Sequence, residues 1–198
     1  KRQDPLLFPS IMSKKKAVGA THLVIDIPTG RGTKVKTIGE ANFLAKDFIE
    51  LGKRLGIKVK AVITYGEQPI GYAIGPALEA KEALEIIMNK KDVPDQIDKV
   101  IDIAGALLGL IGVRNGAKLA LNALKSGKAE KKFREIIAEQ GGNPKIKPED
   151  IPIGHYKIDV YSPKKGKVFW INTKALVEAV SYTHLRAHET SLHLVCRL

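Results

Sequence analysis

The sequence predicts an α/β protein: a mostly parallel sheet flanked by helices, followed by the start of a small α+β C-terminal domain. Three observations carry this expectation. His22 to Ile27 is an apolar run rich in branched side chains, the composition of a strand covered on both faces. Thr37 to Gly56 is an amphipathic helix that opens on a Thr-Ile-Gly-Glu capping box and closes on glycine. Val59 to Tyr65 is a second strand-like run, so His22 to Tyr65 forms a βαβ unit with parallel strands and a right-handed crossover.

Taken in order, Ser10 follows a proline and precedes a short helical run that Gly19 can close, which makes it a natural N-cap. Ser10 and Lys14 are four apart, placing a hydroxyl and an ammonium one turn apart on one helix face. Such a pair can grip a carbonyl or an anion, although Ser10 alone serves equally as a cap and Lys14 to Lys16 as a solvated face. Pro28 is expected to stop the first strand. The Thr-Gly-Arg-Gly-Thr-Lys that follows lies past the carboxyl end of that strand, where open α/β sheets place ligands. Gly30 and Gly32 permit close backbone approach, and Arg31 and Lys34 supply charge for an oxyanion. The loop matches neither the phosphate-loop nor the dinucleotide glycine pattern.

In the next helix Phe43, Leu44, Phe48, Leu51 and Leu55 recur at helical spacing and read as core. Gly66 to Pro76 sits at the second carboxyl strand end, with glycine and proline forcing an irregular backbone that exposes carbonyls. A helix from about Pro76 to Asn89 carries Glu79, Glu82 and Glu85, at least two of which read as solvated carboxylates. From Val93 to Gln140 the pattern is helical, broken near Gly112 to Gly116 and at Ser126-Gly127, and Ala104 to Gly109 suits close helix packing. Gly154 to Ile171 predicts short strands around a Pro163 to Gly166 turn. Residues 1–145 are therefore read as part of a central α/β domain and 146–179 as a truncated C-terminal domain.

The stretch from 180 to 198 changes character. It holds three of the five histidines and the single cysteine, and His184, His188, His193 and Cys196 can be drawn as a zinc cluster. It is read instead as a non-native tail, because it resembles a translated sequencing-library adapter with Ser191 to His193 in the variable index. Removing Ser181 to Leu198 deletes two Arg and one Glu, which takes the formal charge from +12 to +11.

One cysteine excludes an internal disulfide framework and a cysteine-based zinc site. No apolar run is long enough to span a membrane and no charged-then-apolar leader opens the chain, so a cytoplasmic protein without membrane contact is expected. The charge of +12 invites a basic nucleic-acid-binding module. The lysines are spread along the chain, however, and 6% aromatic content gives no interleaved stacking platform. Small anionic substrates explain the charge as well.

Asp-Pro at Asp4, Ser-Ile-Met-Ser-Lys-Lys at Ser10, Asp-Ile-Pro-x-Gly at Asp26, and the ordered run from Tyr65 to Glu79 together resemble the class II nucleoside phosphorylases. The resemblance is to the AMP phosphorylase branch, known chiefly from archaea, and covers Lys1 to about Ala179. It implies phosphorolysis of a nucleoside 5′-monophosphate, with inorganic phosphate as a substrate and no required cofactor or catalytic metal. It places base contacts on Ser10 and Lys14, nucleotide binding on Ser10 and Lys34, and the proton donor on Asp4, whose spacing to Ser10 is shorter than in some relatives. In the pyrimidine enzymes a monovalent cation is held at positions that match Ile70, Ala73 and Glu82. A pyrimidine-nucleoside (thymidine) phosphorylase is the alternative within the family. The family's upstream phosphate-binding and dimerisation segments have no counterpart here, so the resemblance implies a fragment of a homo-oligomer with half an active site, inactive alone.

Overall fold

A computed structural model describes residues 7–154, 156–185 and 192–196. Asp4 lies outside the described residues, as do the side chains of His184, His188, His193 and Cys196. The chain divides into two compact units, the first from residues 1–67 and 99–121 and the second from 68–98 and 122–198.

The first unit is the βαβ motif. Helix α1 (Leu7–Ala17) leads into strand β1 (His22–Thr29), helix α2 (Ile38–Leu55) and strand β2 (Lys58–Tyr65). The strands are parallel, with His22 opposite Lys58 and Thr29 opposite Tyr65. Leu23, Ile25 and Ile27 join Leu44 and Phe48 of α2 and Met12 of α1 in one hydrophobic cluster. The α1–α2 contact includes the Phe8 and Phe48 rings, 4.8 Å apart between centroids.

Pro28 lies inside β1 and does not end it. The amide N–H groups of Lys58 and Gly66 donate to the carbonyls of Thr21 and Thr29, so the odd-numbered residues of β1 turn their backbone groups toward β2. Pro28 is even-numbered, and its missing donor falls on the side away from the ladder.

Ser10 is not an N-cap. It is the fourth residue of α1, which begins at Leu7. A proline in the first turn costs nothing, because the N–H it lacks would have no helical partner there, and the burial of Phe8, Ile11 and Met12 rewards the earlier start. The other end is as expected. Gly19 adopts φ +73, the N–H of Ala20 reaches the carbonyl of Lys15, and the N–H of Gly19 reaches that of Lys16, a Schellman closure.

Helix α2 is capped as its sequence predicts. Thr37 Oγ1 accepts from the Glu40 N–H at 3.2 Å, while Glu40 Oε2 accepts from Lys36 N, one residue before the box's usual partner. Phe43 departs from the expected core: it is 71% exposed, against 2% for Phe48. Ala41, Leu44, Phe48 and Gly52 form the buried stripe, and Phe43 lies off it with the Lys46 ammonium 5.9 Å from its ring centroid.

Helix α4 (Pro94–Leu110) begins in the second unit and continues into the first, where Lys99 pairs with Asp26 of β1 at 2.8 Å. Helix α5 (Gly116–Lys125) packs closely on α4, since a Cβ on Gly105 would stand 2.8 Å from the Ala117 nitrogen. Gly109, in contrast, has nothing within 4 Å.

The second unit contains α3 (Pro76–Ile87), α6 (Lys128–Glu139), a 3-10 turn at Pro148–Asp150, strand β3 (Tyr156–Val160), α7 (Thr173–Leu185) and strand β4 (Leu192–Cys196). Strand β3 pairs in parallel with β4. The hairpin expected around Pro163 to Gly166 does not form, and residues 161–172 carry no strand. Every residue of β3 is exposed and Phe169 is fully exposed, so a returning strand would have no apolar face to bury.

Candidate functional site

The first unit builds a cationic loop from the carboxyl end of β1 to the start of α2. Its two ends are fixed in the core: Thr29 and Val35 are both buried, they bridge one another, and the Gly30 N–H donates to the Val35 carbonyl at 3.1 Å. Between them Thr33 tightens the turn, its single hydroxyl proton shared between the carbonyls of Gly30 at 2.8 Å and Val35 at 2.5 Å.

Three cations project from this loop, and the structure distinguishes them. Arg31 is held by Glu67, just past the end of β2. Glu67 Oε1 accepts from the Arg31 backbone N–H at 3.0 Å, and the two carboxylate oxygens accept from Nε and Nη2 at 3.3–3.4 Å. The backbone hydrogen bond from Arg31, and then its guanidinium, hold the Glu67 carboxyl below its ordinary range. Lys36 turns back onto its own loop, donating to the Arg31 carbonyl at 2.9 Å and to that of Thr33. Lys34 is exposed, and among the described residues its ammonium has no hydrogen-bond or ion-pair partner. It sits in the bend that immediately precedes buried Val35. The expectation that Arg31 supplies free charge is therefore corrected, and the free charge of the loop is Lys34.

The glycines of the two strand ends are structural necessities. Gly30 has φ +137, and a Cβ there would stand 2.1 Å from Glu67 Cγ. A Cβ on Gly66 would meet Thr33 Cγ2 at 2.6 Å and Pro28 Cβ at 2.8 Å. The two loops interlock through absent side chains.

Ser10 and Lys14 lie one turn apart on the exposed side of α1, opposite Phe8, Ile11 and Met12. Their neighbour Lys16 is tied to the Leu55 carbonyl at 2.8 Å. Among the described residues no hydrogen bond or ion pair joins Ser10 or Lys14 to Lys34. The structure thus sets Ser10 and Lys14 on one exposed face of α1 and Lys34 on the loop after β1, without a direct bond between them, and does not describe Asp4.

The second unit holds the loop that the resemblance links to a cation. The Glu82 carboxylate is 3% exposed and accepts from the N–H of Tyr72 at 3.1 Å and of Ala73 at 3.2 Å. Its Oε1 also takes the Lys91 ammonium at 2.6 Å. Asp95 Oδ2 accepts from Gly71 N at 2.9 Å and Glu79 Oε1 from Gly75 N at 2.8 Å, so three acidic side chains order one glycine-rich loop. An added monovalent cation does not fit this arrangement, because the charge position beside Glu82 is taken by Lys91. Of the three helix carboxylates, of which at least two are expected to be solvated, Glu82 is the buried one, and its partner Lys91 lies beyond the helix end. No group of three or more potential metal-ligating side chains occurs among the described residues.

These features define a parallel α/β protein that presents a cationic loop at the carboxyl end of a strand. No family model matches the chain. It is similar to curated proteins named AMP phosphorylase: 51% identical to that of Thermofilum pendens over 87% of this chain and 34% of the relative, and 55% identical to that of Pyrococcus horikoshii over 87% and 35%. The AMP phosphorylase of Methanococcus vannielii is 50% identical over 89% of the chain and 36% of the relative. The chain thus matches one segment of these curated AMP phosphorylases, and it spans about a third of their length. No helix among the described residues is long and apolar enough to cross a membrane.

Proposed function

We propose that the full-length protein carrying this segment phosphorolyses nucleoside 5′-monophosphates, converting AMP and inorganic phosphate to adenine and ribose 1,5-bisphosphate. The observation that carries the reading is Lys34: in a loop whose other two cations are internally bonded, it alone offers charge to an external phosphate. Similarity at about half identity to proteins named AMP phosphorylase supports AMP as the nucleotide.

In this reading a phosphate oxygen bonds to C1′ as the C1′–N bond breaks, and the electron pair of that bond leaves with the base. The sugar passes through an oxocarbenium-like state, so catalysis rests on orienting the phosphate and relieving charge on the leaving base. Asp4 delivers the proton to the base. Ser10 and Lys14 hold the base, and Lys34 neutralises the 5′-phosphate. Inorganic phosphate is the nucleophile and no cofactor takes part. The protein is cytoplasmic and homo-oligomeric through regions outside this sequence.

The test is to assay the full-length protein with AMP, CMP, UMP and thymidine in the presence and absence of phosphate. Phosphate-dependent release of adenine from AMP is expected. Release from thymidine alone would favour the pyrimidine-nucleoside alternative, and no phosphate consumption with any substrate would overturn the enzyme reading. Steep salt-dependent binding of RNA or DNA in place of catalysis would return the chain to the nucleic-acid module.

A further inference from the structure

We propose that Lys91 is the resident cation of the Glu82 loop, a fixed ammonium standing where the resemblance to pyrimidine enzymes leads one to expect an exchangeable monovalent ion. A carboxylate buried to 3% exposure needs a compensating charge to remain ionised among protein groups, and two backbone N–H dipoles supply only part of it. Lys91 Nζ supplies the rest at 2.6 Å.

The local backbone delivers it there. Asn89 takes a left-handed φ of +54 after α3, and the N–H of Lys90 reaches back to the Glu85 carbonyl at 2.8 Å, reversing the chain so that Lys91 returns to a residue nine positions earlier. The ammonium also lies 5.5 Å from the Tyr72 ring centroid and 3.9 Å from Glu85 Oε2, which fixes it on the loop from three sides.

The loop backbone closes on the Glu82 side of the pair. A Cβ on Gly71 would stand 2.5 Å from Glu82 Oε2 and 3.0 Å from Gln96 Oε1. Gln96 Oε1 is buried and has no hydrogen-bond partner among the described residues. If the Lys91 side chain is removed, the vacated charge position borders Glu82 and this orphan oxygen is nearby, a donor set of hard oxygens suited to potassium or ammonium. In the parent the Lys91 ammonium occupies that position on Glu82 Oε1.

Thermal unfolding of the full chain tests this by comparing potassium chloride with N-methylglucamine chloride at one ionic strength. The parent should show the same Tm in both salts. Lys91→Ala should lose roughly 4–10 °C in the large-cation salt and regain part of it in potassium or ammonium. Adding Glu82→Gln should abolish that gain. A parent that potassium stabilises as much as it does the variant would overturn the proposal, and so would a Lys91→Ala variant with an unchanged Tm or no potassium response. Should Lys91→Ala fail to fold, the parent decides by NMR: unchanged Tyr72 and Ala73 amide shifts during a potassium titration are expected, and saturable shifts would overturn the assignment. These readouts do not depend on AMP turnover, so failure here and failure of the phosphorylase reading are separate results.

Discussion

The Glu67 carboxylate binds both the backbone and the side chain of Arg31, accepting from the amide N–H at 3.0 Å and from the guanidinium at 3.3–3.4 Å. One contact therefore ties the segment after β2 to the loop after β1 and removes Arg31 from competition for anions. Lys34, three residues on, is left to act alone.

This pairing has a pH signature. Arg31 holds the Glu67 carboxyl below its ordinary value of 4.5, so the pair contributes to stability above the unfolded-state value and loses that contribution as pH falls through the lower folded value. An NMR titration should show the Arg31 amide shift inflecting below 4.5, and Glu67→Gln should remove the inflection. A midpoint at or above the ordinary value would mean that the clamp does not form in solution.

Lys34 should discriminate phosphorylated from unphosphorylated substrates. In the full-length protein, Lys34→Ala is expected to weaken AMP by about tenfold or more, the scale of one charge-assisted hydrogen bond, while adenosine changes by less than about threefold. Lys36→Ala should instead lower Tm without this selectivity, because its ammonium braces the Arg31 and Thr33 carbonyls. Equal losses for AMP and adenosine would remove Lys34 from the phosphate subsite.

The βαβ unit was legible because its signals are local: branched residues at 22–27, the Thr37 and Glu40 cap, and glycines at both helix ends each act within a few residues of themselves. Misreadings arose where a distant partner decides. Ser10 satisfies the local rule for a cap, yet the packing of Phe8 on Phe48 draws the helix start ahead of it. Arg31 looks free until Glu67, 36 residues away, is placed beside it. At Glu82 the residue pattern leaves room for one engaged carboxylate among three but does not name its partner, because only the reversal at Asn89 brings Lys91 to it. The missing strand after β3 is a further case, since residue pattern alone does not tell whether a partner face exists.

Two phenylalanines in one helix should behave differently. Phe48 is 2% exposed and packs against Phe8 with tilted rings, so Phe48→Ala should cost about 3–5 kcal/mol in chemical denaturation. Phe43 is 71% exposed, and Phe43→Ala should stay within about 0.5 kcal/mol of the parent. Similar losses at both positions would contradict the α2 register.

Two glycines of α4 give opposite signs for the same substitution. Replacing a helical glycine by alanine reduces the freedom of the unfolded chain and is worth about 0.5–1 kcal/mol where space allows. Gly109 has that space, with nothing within 4 Å of an added Cβ, so Gly109→Ala should stabilise, with the gain reduced by its position near the helix end. At Gly105 the same Cβ meets the Ala117 nitrogen at 2.8 Å and its Cα at 3.0 Å. Backbone cannot rotate away as a side-chain tip can, so α5 must shift, and Gly105→Ala should cost about 1–3 kcal/mol. Denaturant midpoints of the two variants, at unchanged m-value, separate the cases. If both substitutions stabilise, the close approach of α4 and α5 at Gly105 is wrong, because steric exclusion is the only term that distinguishes the two sites strongly enough to reverse the sign.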